Sequence, residues 1–174
     1  MLSRLWFSAV AFGLAQAAAA PTPDIHFVAT PNAVVEAMLN IAHVTSSDVV
    51  YDLGSGDGRI VIAAAQKYGA RGVGIELDPK LIDVANARAR KAGVFEKVRF
   101  VQADFFKTDV SEATVVTLFL SPSINMRLQP VFRRQLKPGT RIVSYRFGVR
   151  DWPPEQEVAI GGRAVYLWTM PARD

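Results

Sequence analysis

Apolar residues along the chain follow two alternating patterns. Short, nearly continuous apolar runs are typical of strands buried on both faces of a sheet. The runs fall at 48–54, 71–77, 97–104, 113–120 and 140–147. Between them, apolar positions recur every three or four residues, which is typical of helices with one face on a core. Such helices are predicted at 58–68, 79–93 and 124–136.

A further helix is predicted to open the globular part of the chain. Thr30 can cap this helix, with Pro31 at its first position. Five apolar residues at helical spacing would place one face against the core: Val34, Val35, Met38, Leu39 and Ala42. The helix is therefore expected to pack on the domain.

Strands that alternate with helices predict a parallel sheet covered on both faces. The stretch 155–170 differs, because it reads as two strands around Gly161-Gly162 and so as a hairpin. The predicted fold is therefore α/β: a doubly wound, mostly parallel seven-stranded sheet with an antiparallel C-terminal hairpin.

Residues 1–20 differ from the rest of the chain. One positive charge precedes the apolar stretch 5–20, and Ala15-Gln16-Ala17 is a candidate cleavage site. This pattern is typical of a secretory signal peptide, although an uncleaved membrane anchor fits it too. Residues 21–27 are interpreted as a linker and 28–174 as the domain. The domain is then expected to be exported or membrane-anchored, or cytoplasmic if the N-terminus is misassigned.

Composition excludes several kinds of site. The chain has no Cys and two His, so thiolate metal sites and disulfides are excluded and a histidine metal centre is not expected. The formal net charge of +4 does not by itself indicate a nucleic-acid partner. Neither a metal nor a nucleic acid is therefore predicted.

The stretch 52–58, Asp-Leu-Gly-Ser-Gly-Asp-Gly, lies between a predicted strand and a predicted helix. Its alternate glycines, Gly54, Gly56 and Gly58, allow positive φ angles and let a ligand approach the main chain. A dinucleotide site would have glycine at residue 59, where this chain has Arg59. Asp57 and Arg59 are expected either to touch the ligand or to pair with each other.

Acidic and aromatic residues follow the next two strands. Glu76 ends the second strand, where a carboxylate can hold both hydroxyls of a ribose. Asp104 ends the third, where it can accept a hydrogen bond from an exocyclic amine, and Phe105 can lie against a purine. Acids at 52 and 57 would repel a pyrophosphate but attract a sulfonium and an ammonium group. S-adenosylmethionine is therefore favoured over NAD.

With these motifs the chain resembles the class I S-adenosylmethionine-dependent methyltransferases over about residues 28–174. It is more closely similar to small archaeal protein-lysine methyltransferases and to enzymes that methylate a lysine of the ATP-synthase c subunit. The resemblance implies a Rossmann-like methyltransferase fold, S-adenosylmethionine as cofactor and a protein substrate with an accessible lysine. It implies cofactor contacts at Asp52, Gly54, Ser55, Gly56, Glu76, Asp104 and Phe105, and the Thr30-Pro31 pair is similar too.

The stretch after the fourth strand bears on the acceptor. Many enzymes that methylate nucleobase amines or glutamine carry two prolines and an aromatic residue there, whereas this chain has Ser121-Pro122-Ser123. Ser121 and Asn125 are predicted to accept hydrogen bonds from the reacting amine, together with the Leu120 carbonyl and Tyr145. Ser121 and Asn125 also fit ordinary helix-capping roles. No general base is evident, so positioning is expected to supply most of the rate.

Alternatives remain open at this stage. The chain could methylate RNA or a small molecule, or bind S-adenosylmethionine without turnover as an exported domain. The stretch 127–150 holds seven basic residues and no acid, and these could form a partner surface or a solvated helix face. A membrane could also be contacted through residues 1–20. An exported enzyme would lack a donor that is made in the cytoplasm, unless the cofactor is exported with it.

Overall fold

The computed structural model describes residues 27–172, in which seven strands form one sheet. The strands are β1 (Val49–Leu53), β2 (Arg71–Glu76), β3 (Val98–Gln102), β4 (Val115–Leu118), β5 (Arg141–Tyr145), β6 (Gln156–Ile160) and β7 (Arg163–Thr169). Their order in the sheet is β3-β2-β1-β4-β5-β7-β6. The first five strands in this order are parallel to one another, and β7 pairs antiparallel with both β5 and β6. The predicted mixed sheet is confirmed.

Among the described residues there are four α-helices, of which the first precedes β1 and the other three connect strands. They are α1 (Asn32–Ile41), α2 (Arg59–Tyr68), α3 (Pro79–Lys91) and α4 (Pro122–Gln135). Pro79 opens α3, where Asp78 accepts a hydrogen bond from the Lys80 amide, and Gly93 follows its end with a positive φ. The predicted cap of α1 is wrong: Pro31, not Thr30, occupies the cap position, and no side chain caps the helix.

Helices cover both faces of the sheet. The apolar face of α1 packs on one side together with α2, and all five residues predicted to face inward are buried there. On the other side α4 buries Leu128 and Phe132 against β1, β4 and β5. The doubly wound arrangement follows from helices that each bury one apolar face.

Parallel pairing aligns the carboxyl ends of the central strands. Leu53 of β1 is level with Ile75 of β2 and with Leu118 of β4, and Glu76 is level with Gln102. The chain order reverses between β1 and β4, and open α/β sheets bind ligands at such a point. The residues that follow these strands therefore meet at one edge of the sheet.

Two residues of the basic stretch 127–150 contact other parts of the chain. Arg141 is largely withdrawn from solvent, where it pairs with Asp48 and donates to the Ala42 carbonyl at 2.6 Å. The Arg127 guanidinium lies 4.0 Å from the centre of the Phe106 ring. Two of the seven basic residues therefore have contacts in different parts of the fold, and the alternatives of a partner surface and a solvated helix face stay open.

The predicted signal peptide or anchor, residues 1–20, lies outside the described residues, as does most of the predicted linker. Within residues 27–172 no helix is long and apolar enough to cross a membrane. The same residues contain no cluster of acids and histidines that could hold a metal ion.

Candidate cofactor and acceptor site

A cleft of about 600 Å³ lies over the carboxyl ends of β1, β2, β4 and β5. Its volume suits a nucleoside-sized ligand. The glycine loop after β1 forms one wall, and the segment before α1 contributes Phe27, Val28 and Thr30. Acids line the end near β1 and β2, whereas apolar and aromatic residues dominate the end near β4 and β5. The cleft thus has two chemically different ends.

The glycine loop turns sharply from β1 into α2. Gly54, Gly56 and Gly58 all have positive φ, at 78°, 52° and 76°. The amides of Gly54 and Ser55 both donate to the Ile75 carbonyl, at 2.9 and 3.0 Å. A β-carbon at Gly56 would collide with the Phe27 ring, which lies directly against the loop. The Phe27 ring thus already occupies one side of the loop that a ligand was predicted to approach.

Glu76 fastens the glycine loop to the turn after β2. One carboxylate oxygen accepts from the Gly56 amide at 2.8 Å. The other accepts from the amides of Leu77 and Asp78, at 2.7 and 3.0 Å. Glu76 lines the cleft as expected, and its assignment to the ribose stays a prediction. Sequence spacing does not reveal this main-chain role, because it depends on two loops meeting.

Asp52 lies at the base of the cleft with 3 % of its surface exposed. Burial raises the pKa of this carboxyl to about 7. The Thr117 hydroxyl donates to it at 2.7 Å and lowers the pKa, while the nearby Glu76 and Asp57 charges raise it further. Asp52 therefore changes charge near neutral pH.

Asp52 should make the protein less stable as the pH rises from about 4 to about 7. The folded state binds the Asp52 proton more tightly than the unfolded state, where the pKa is near 3.8. The stability gained from protonated Asp52 is therefore fully present below pH 3.8 and is lost as the pH rises through about 7. Urea denaturation at several pH values checks this, with Asp52→Asn as the variant that should lack the decline.

Two other carboxyls act in a separate pH window. The pKa values of Asp48 and Asp57 are lowered, because hydrogen bonds and arginine charges outweigh the effect of burial. The stability that these two carboxylates contribute to the protein is lost only as the pH falls toward and below their ordinary pKa. If the free energy of unfolding changes with pH in the same way in the wild type and in Asp52→Asn, the assignment of the decline to Asp52 is contradicted.

Asp57 and Arg59 pair with each other, which confirms one of the two alternatives drawn from the sequence. Arg59 donates from Nε and Nη2 to the two Asp57 oxygens, at 2.9 and 2.7 Å, and Arg88 from α3 pairs with Asp57 as well. The remaining Arg59 nitrogen, Nη1, donates to the Thr30 carbonyl at 2.8 Å. Arg59 thereby ties α2 to the segment that precedes α1, at its buried residue Thr30.

Asp104 and Phe105 lie side by side after β3, but only Phe105 lines the cleft. Phe105 is buried, and its ring centre lies 4.8 Å from that of Phe106. The Asp104 carboxylate is partly exposed and accepts from the Phe106 amide at 2.9 Å. Contact of Asp104 with an exocyclic amine stays a prediction.

The predicted acceptor residues separate into two groups. Ser121 lines the cleft, and its hydroxyl lies 3.0 Å from that of Ser123. Asn125 does not line the cleft: it is fully buried, and its amide nitrogen donates to the Phe147 carbonyl at 3.1 Å and to the Ser144 hydroxyl at 3.3 Å. Tyr145 is buried against Phe119. Neither Asn125 nor Tyr145 lines the cleft, and Asn125 Oδ1 has no hydrogen-bond partner among the described residues, so their contact with the reacting amine stays a prediction.

Sequence reasoning missed the residues that close the acceptor end. Phe119, Arg146 and Phe147 line the cleft there, and Phe27, which was missed as well, lines it beside the glycine loop. Arg146 and Phe147 directly follow β5, so the rule that ligands bind beyond strand ends could have found them. The rule was applied only to the ends of the first four strands, so it did not find Arg146 and Phe147.

The donors and acceptors of the cleft suit S-adenosylmethionine. The Ser55 hydroxyl is buried beside the cleft and has no hydrogen-bond partner among the described residues. Asp52 and Glu76 supply carboxylates at one end that are not paired with any arginine in 27–172, which suits a ligand with a sulfonium and an ammonium group. Gly54 leaves the loop open toward Leu120, which a β-carbon would approach at 3.2 Å. The residues present therefore fit this cofactor.

Residues 52–156 match the family model of the ANTKMT methyltransferase domain. The chain is 42% identical over 153 residues to a protein-lysine N-methyltransferase of Saccharolobus islandicus, an alignment that covers 85% of this chain and 95% of that protein. It is 36% identical over 124 residues to the Xenopus laevis lysine N-methyltransferase that is named for the ATP-synthase c subunit. That match covers 71% of this chain and 54% of the frog protein, so the chain spans about half of its length.

A solved structure is also similar. The crystal structure of an RNA methyltransferase from Salinibacter ruber in complex with S-adenosyl-L-homocysteine is 53% identical, with a TM-score of 0.83. The similarity covers 84% of this chain and 96% of that one. The names of the similar proteins thus agree on methyl transfer and disagree on the acceptor.

Proposed function

The chain belongs to the ANTKMT methyltransferase-domain family and is an S-adenosylmethionine-dependent methyltransferase, and we propose that its acceptor is the Nε amine of a protein lysine. The proposal rests on the acceptor end of the cleft. Phe119 and Leu120 after β4 and Phe147 after β5 form an apolar wall there. Such a wall suits the aliphatic stem of a lysine, whose amine alone needs a polar partner.

The protein-lysine relatives support the same acceptor. The archaeal protein is similar over nearly its whole length, and its name states a protein-lysine substrate. The chain also carries Ser121-Pro122-Ser123 after β4 in place of two prolines and an aromatic residue. Both features favour an alkyl amine over a planar nucleobase amine.

The acidic end of the cleft is proposed to hold the cofactor. S-adenosylmethionine, when bound, supplies an electrophilic methyl group. We assign its ribose to Glu76, its adenine to Phe105 and Asp104, and its charged amino-acid end to the glycine loop with Asp52 and Ser55. Thr30 lies buried at the same end, where its carbonyl is held by Arg59.

The acceptor end would act on the protonation and direction of the amine. A free lysine has a pKa of about 10.4, yet the nucleophile must be the neutral amine. Burial of the Nε atom against Phe119 and Phe147 disfavours its charged form, so the amine loses a proton to water more readily. Ser121 Oγ can accept a hydrogen bond from the Nε amine and direct its lone pair. Orientation then supplies most of the rate.

RNA is the second candidate acceptor, because the Salinibacter ruber protein is named an RNA methyltransferase and is 53% identical. A protein substrate and an RNA substrate place different demands on the cleft. A nucleobase would stack between aromatic rings, whereas a lysine would insert its stem along them.

A transfer assay separates the two acceptors. The full chain is incubated with methyl-tritiated S-adenosylmethionine and with separate pools of protein and of RNA. We expect label in the protein pool, recovered as methyllysine after acid hydrolysis. Ser121→Ala should reduce this label more than Ser46→Ala does, because Ser46 is an exposed serine outside the cleft. Label confined to RNA would overturn the lysine assignment, and label in neither would favour a small-molecule acceptor or binding without turnover.

We also propose that residues 1–20 take the domain to a membrane or export it. The support is their sequence pattern alone, with one positive charge before an apolar stretch. Mass analysis of the protein recovered from separated cell fractions tests this proposal. A product that begins after Ala17 would support cleavage, whereas an intact product in the cytoplasmic fraction would contradict both versions.

A further inference from the structure

Arg146 differs from the other arginine of the cleft. Arg59 is fully engaged by Asp57 and the Thr30 carbonyl. The side chain of Arg146 is exposed at the acceptor end and makes no ion pair or hydrogen bond with any residue in 27–172. Its guanidinium carbon lies 5.1 Å from the centre of the Phe147 ring. All five of its N–H donors remain available to a ligand.

The main chain holds Arg146 in a rarely populated conformation. Its φ is 72°, in the left-handed region that non-glycine residues seldom adopt. Its amide donates to the Ala164 carbonyl of β7 at 2.7 Å. The next residue, Phe147, has its carbonyl held by the Ser144 hydroxyl at 2.6 Å and by the buried Asn125 amide at 3.1 Å. Left-handed conformations of this kind persist where surrounding contacts enforce them, often at binding sites.

Charge is distributed unevenly along the cleft. Asp52, Glu76 and the paired Asp57 and Arg59 lie at the cofactor end, whereas Arg146 is the charged residue that lines the wall after β4 and β5. No acidic residue occurs in the sequence from 127 to 150. An ammonium approaching this end would be repelled, while a carboxylate would be attracted. The acceptor end therefore suits a lysine that arrives together with a neighbouring acid.

We propose that Arg146 binds a carboxylate of the protein substrate next to the target lysine, so that the enzyme recognises a lysine with an adjacent acid. The inference rests on the proposed lysine acceptor and names its surroundings. A guanidinium can bind a carboxylate through two parallel hydrogen bonds, which set the position of the carboxylate in addition to pairing the two charges.

Peptide kinetics test this recognition. The full chain is assayed with three synthetic peptides that contain one lysine, flanked by Asp, by Asn or by Arg. For the wild type we expect the lowest KM with the Asp-flanked peptide. Arg146→Glu should raise that KM by about fivefold, the upper range for a solvent-exposed ion pair, and lower the KM of the Arg-flanked peptide. Arg146→Lys should retain part of the preference for Asp.

Arg150→Glu is the matched control, because Arg150 is exposed on the same connection but does not line the cleft. It should leave the order of the three peptides unchanged. Binding of S-adenosylmethionine by each variant is measured in parallel, and it should be unaffected by Arg146→Glu if Arg146 contacts the acceptor rather than the cofactor.

Failure of the inference is distinguishable from failure of the proposed function. A wild type that methylates all three peptides with equal KM, or an Arg146→Glu variant that keeps the preference for Asp, would overturn the role of Arg146 and leave the lysine acceptor in place. If no peptide reacts, the labelled lysines of a protein pool are mapped by mass spectrometry, and no excess of nearby acids would overturn the inference. Label in RNA alone would overturn both.

Discussion

Replacement of Glu76 by alanine is expected to weaken S-adenosylmethionine binding by about 1.5–3 kcal/mol, the range for a hydrogen bond to a charged group. This corresponds to a roughly 10- to 150-fold higher Kd. The side chain would lose its proposed contact with the ribose. In addition, the amides of Gly56, Leu77 and Asp78 would lose the carboxylate that now accepts from them. Isothermal titration calorimetry of the wild type and the variant measures the change.

The two effects of Glu76 can be separated with a modified ligand. If the ribose contact is real, an S-adenosylhomocysteine analogue without ribose hydroxyls should bind the wild type and Glu76→Ala with a much smaller difference. If the variant only loosens the loop, the loss should be equal for both ligands. Glu36→Ala serves as the control, because Glu36 pairs with Lys67 on the exposed side of α1, away from the cleft. Unchanged affinity in Glu76→Ala would contradict the ribose assignment.

Replacement of Gly58 by alanine should lower the free energy of unfolding by about 2–5 kcal/mol. A left-handed φ of 76° costs a residue with a β-carbon about 1–2 kcal/mol. The new β-carbon would also lie 2.5 Å from the Phe100 ring and 2.9 Å from the Ala85 side chain, and overpacking of this kind costs about 1–3 kcal/mol. Urea denaturation of the two proteins measures the difference.

Gly139→Ala isolates the conformational part of this cost. Gly139 has a similar φ of 82°, but a β-carbon there would meet nothing within 4 Å. Its loss of stability should therefore match the conformational term alone and be clearly smaller than that of Gly58→Ala. Equal losses in the two variants would show that contact with Phe100 and Ala85 adds nothing.

Most of the secondary structure could be predicted from local pattern. Each of the five apolar runs contains the strand found there, and α2 and α3 lie within a few residues of their expected bounds. The end of α4 lies within one residue of its expected position, although the helix begins at Pro122 rather than at residue 124. Periodicity locates elements well, whereas it locates their first residues poorly, as the misassigned cap at Thr30 shows.

The cofactor end of the site could be predicted for a related reason. In a parallel sheet the last residues of neighbouring strands meet at one edge, so Asp52 and Glu76 had to lie close together once their strands were paired. The spacing of the glycines then distinguished S-adenosylmethionine from a dinucleotide. Thus the order of elements, the kind of fold and the kind of cofactor were contained in the sequence by itself.

The acceptor end was decided by the tertiary structure. Ser121 and Asn125 are one helical turn apart, yet Ser121 lines the cleft while Asn125 is buried beneath it and holds Phe147. The link between Asp57 and Arg88 and the contact of Phe27 with the glycine loop likewise join distant parts of the chain. Local spacing determines which face of an element is apolar, but only packing determines which polar side chain meets a loop far away in sequence. The Asp52 pKa and the exposure of Arg146 at the acceptor end follow from that packing as well.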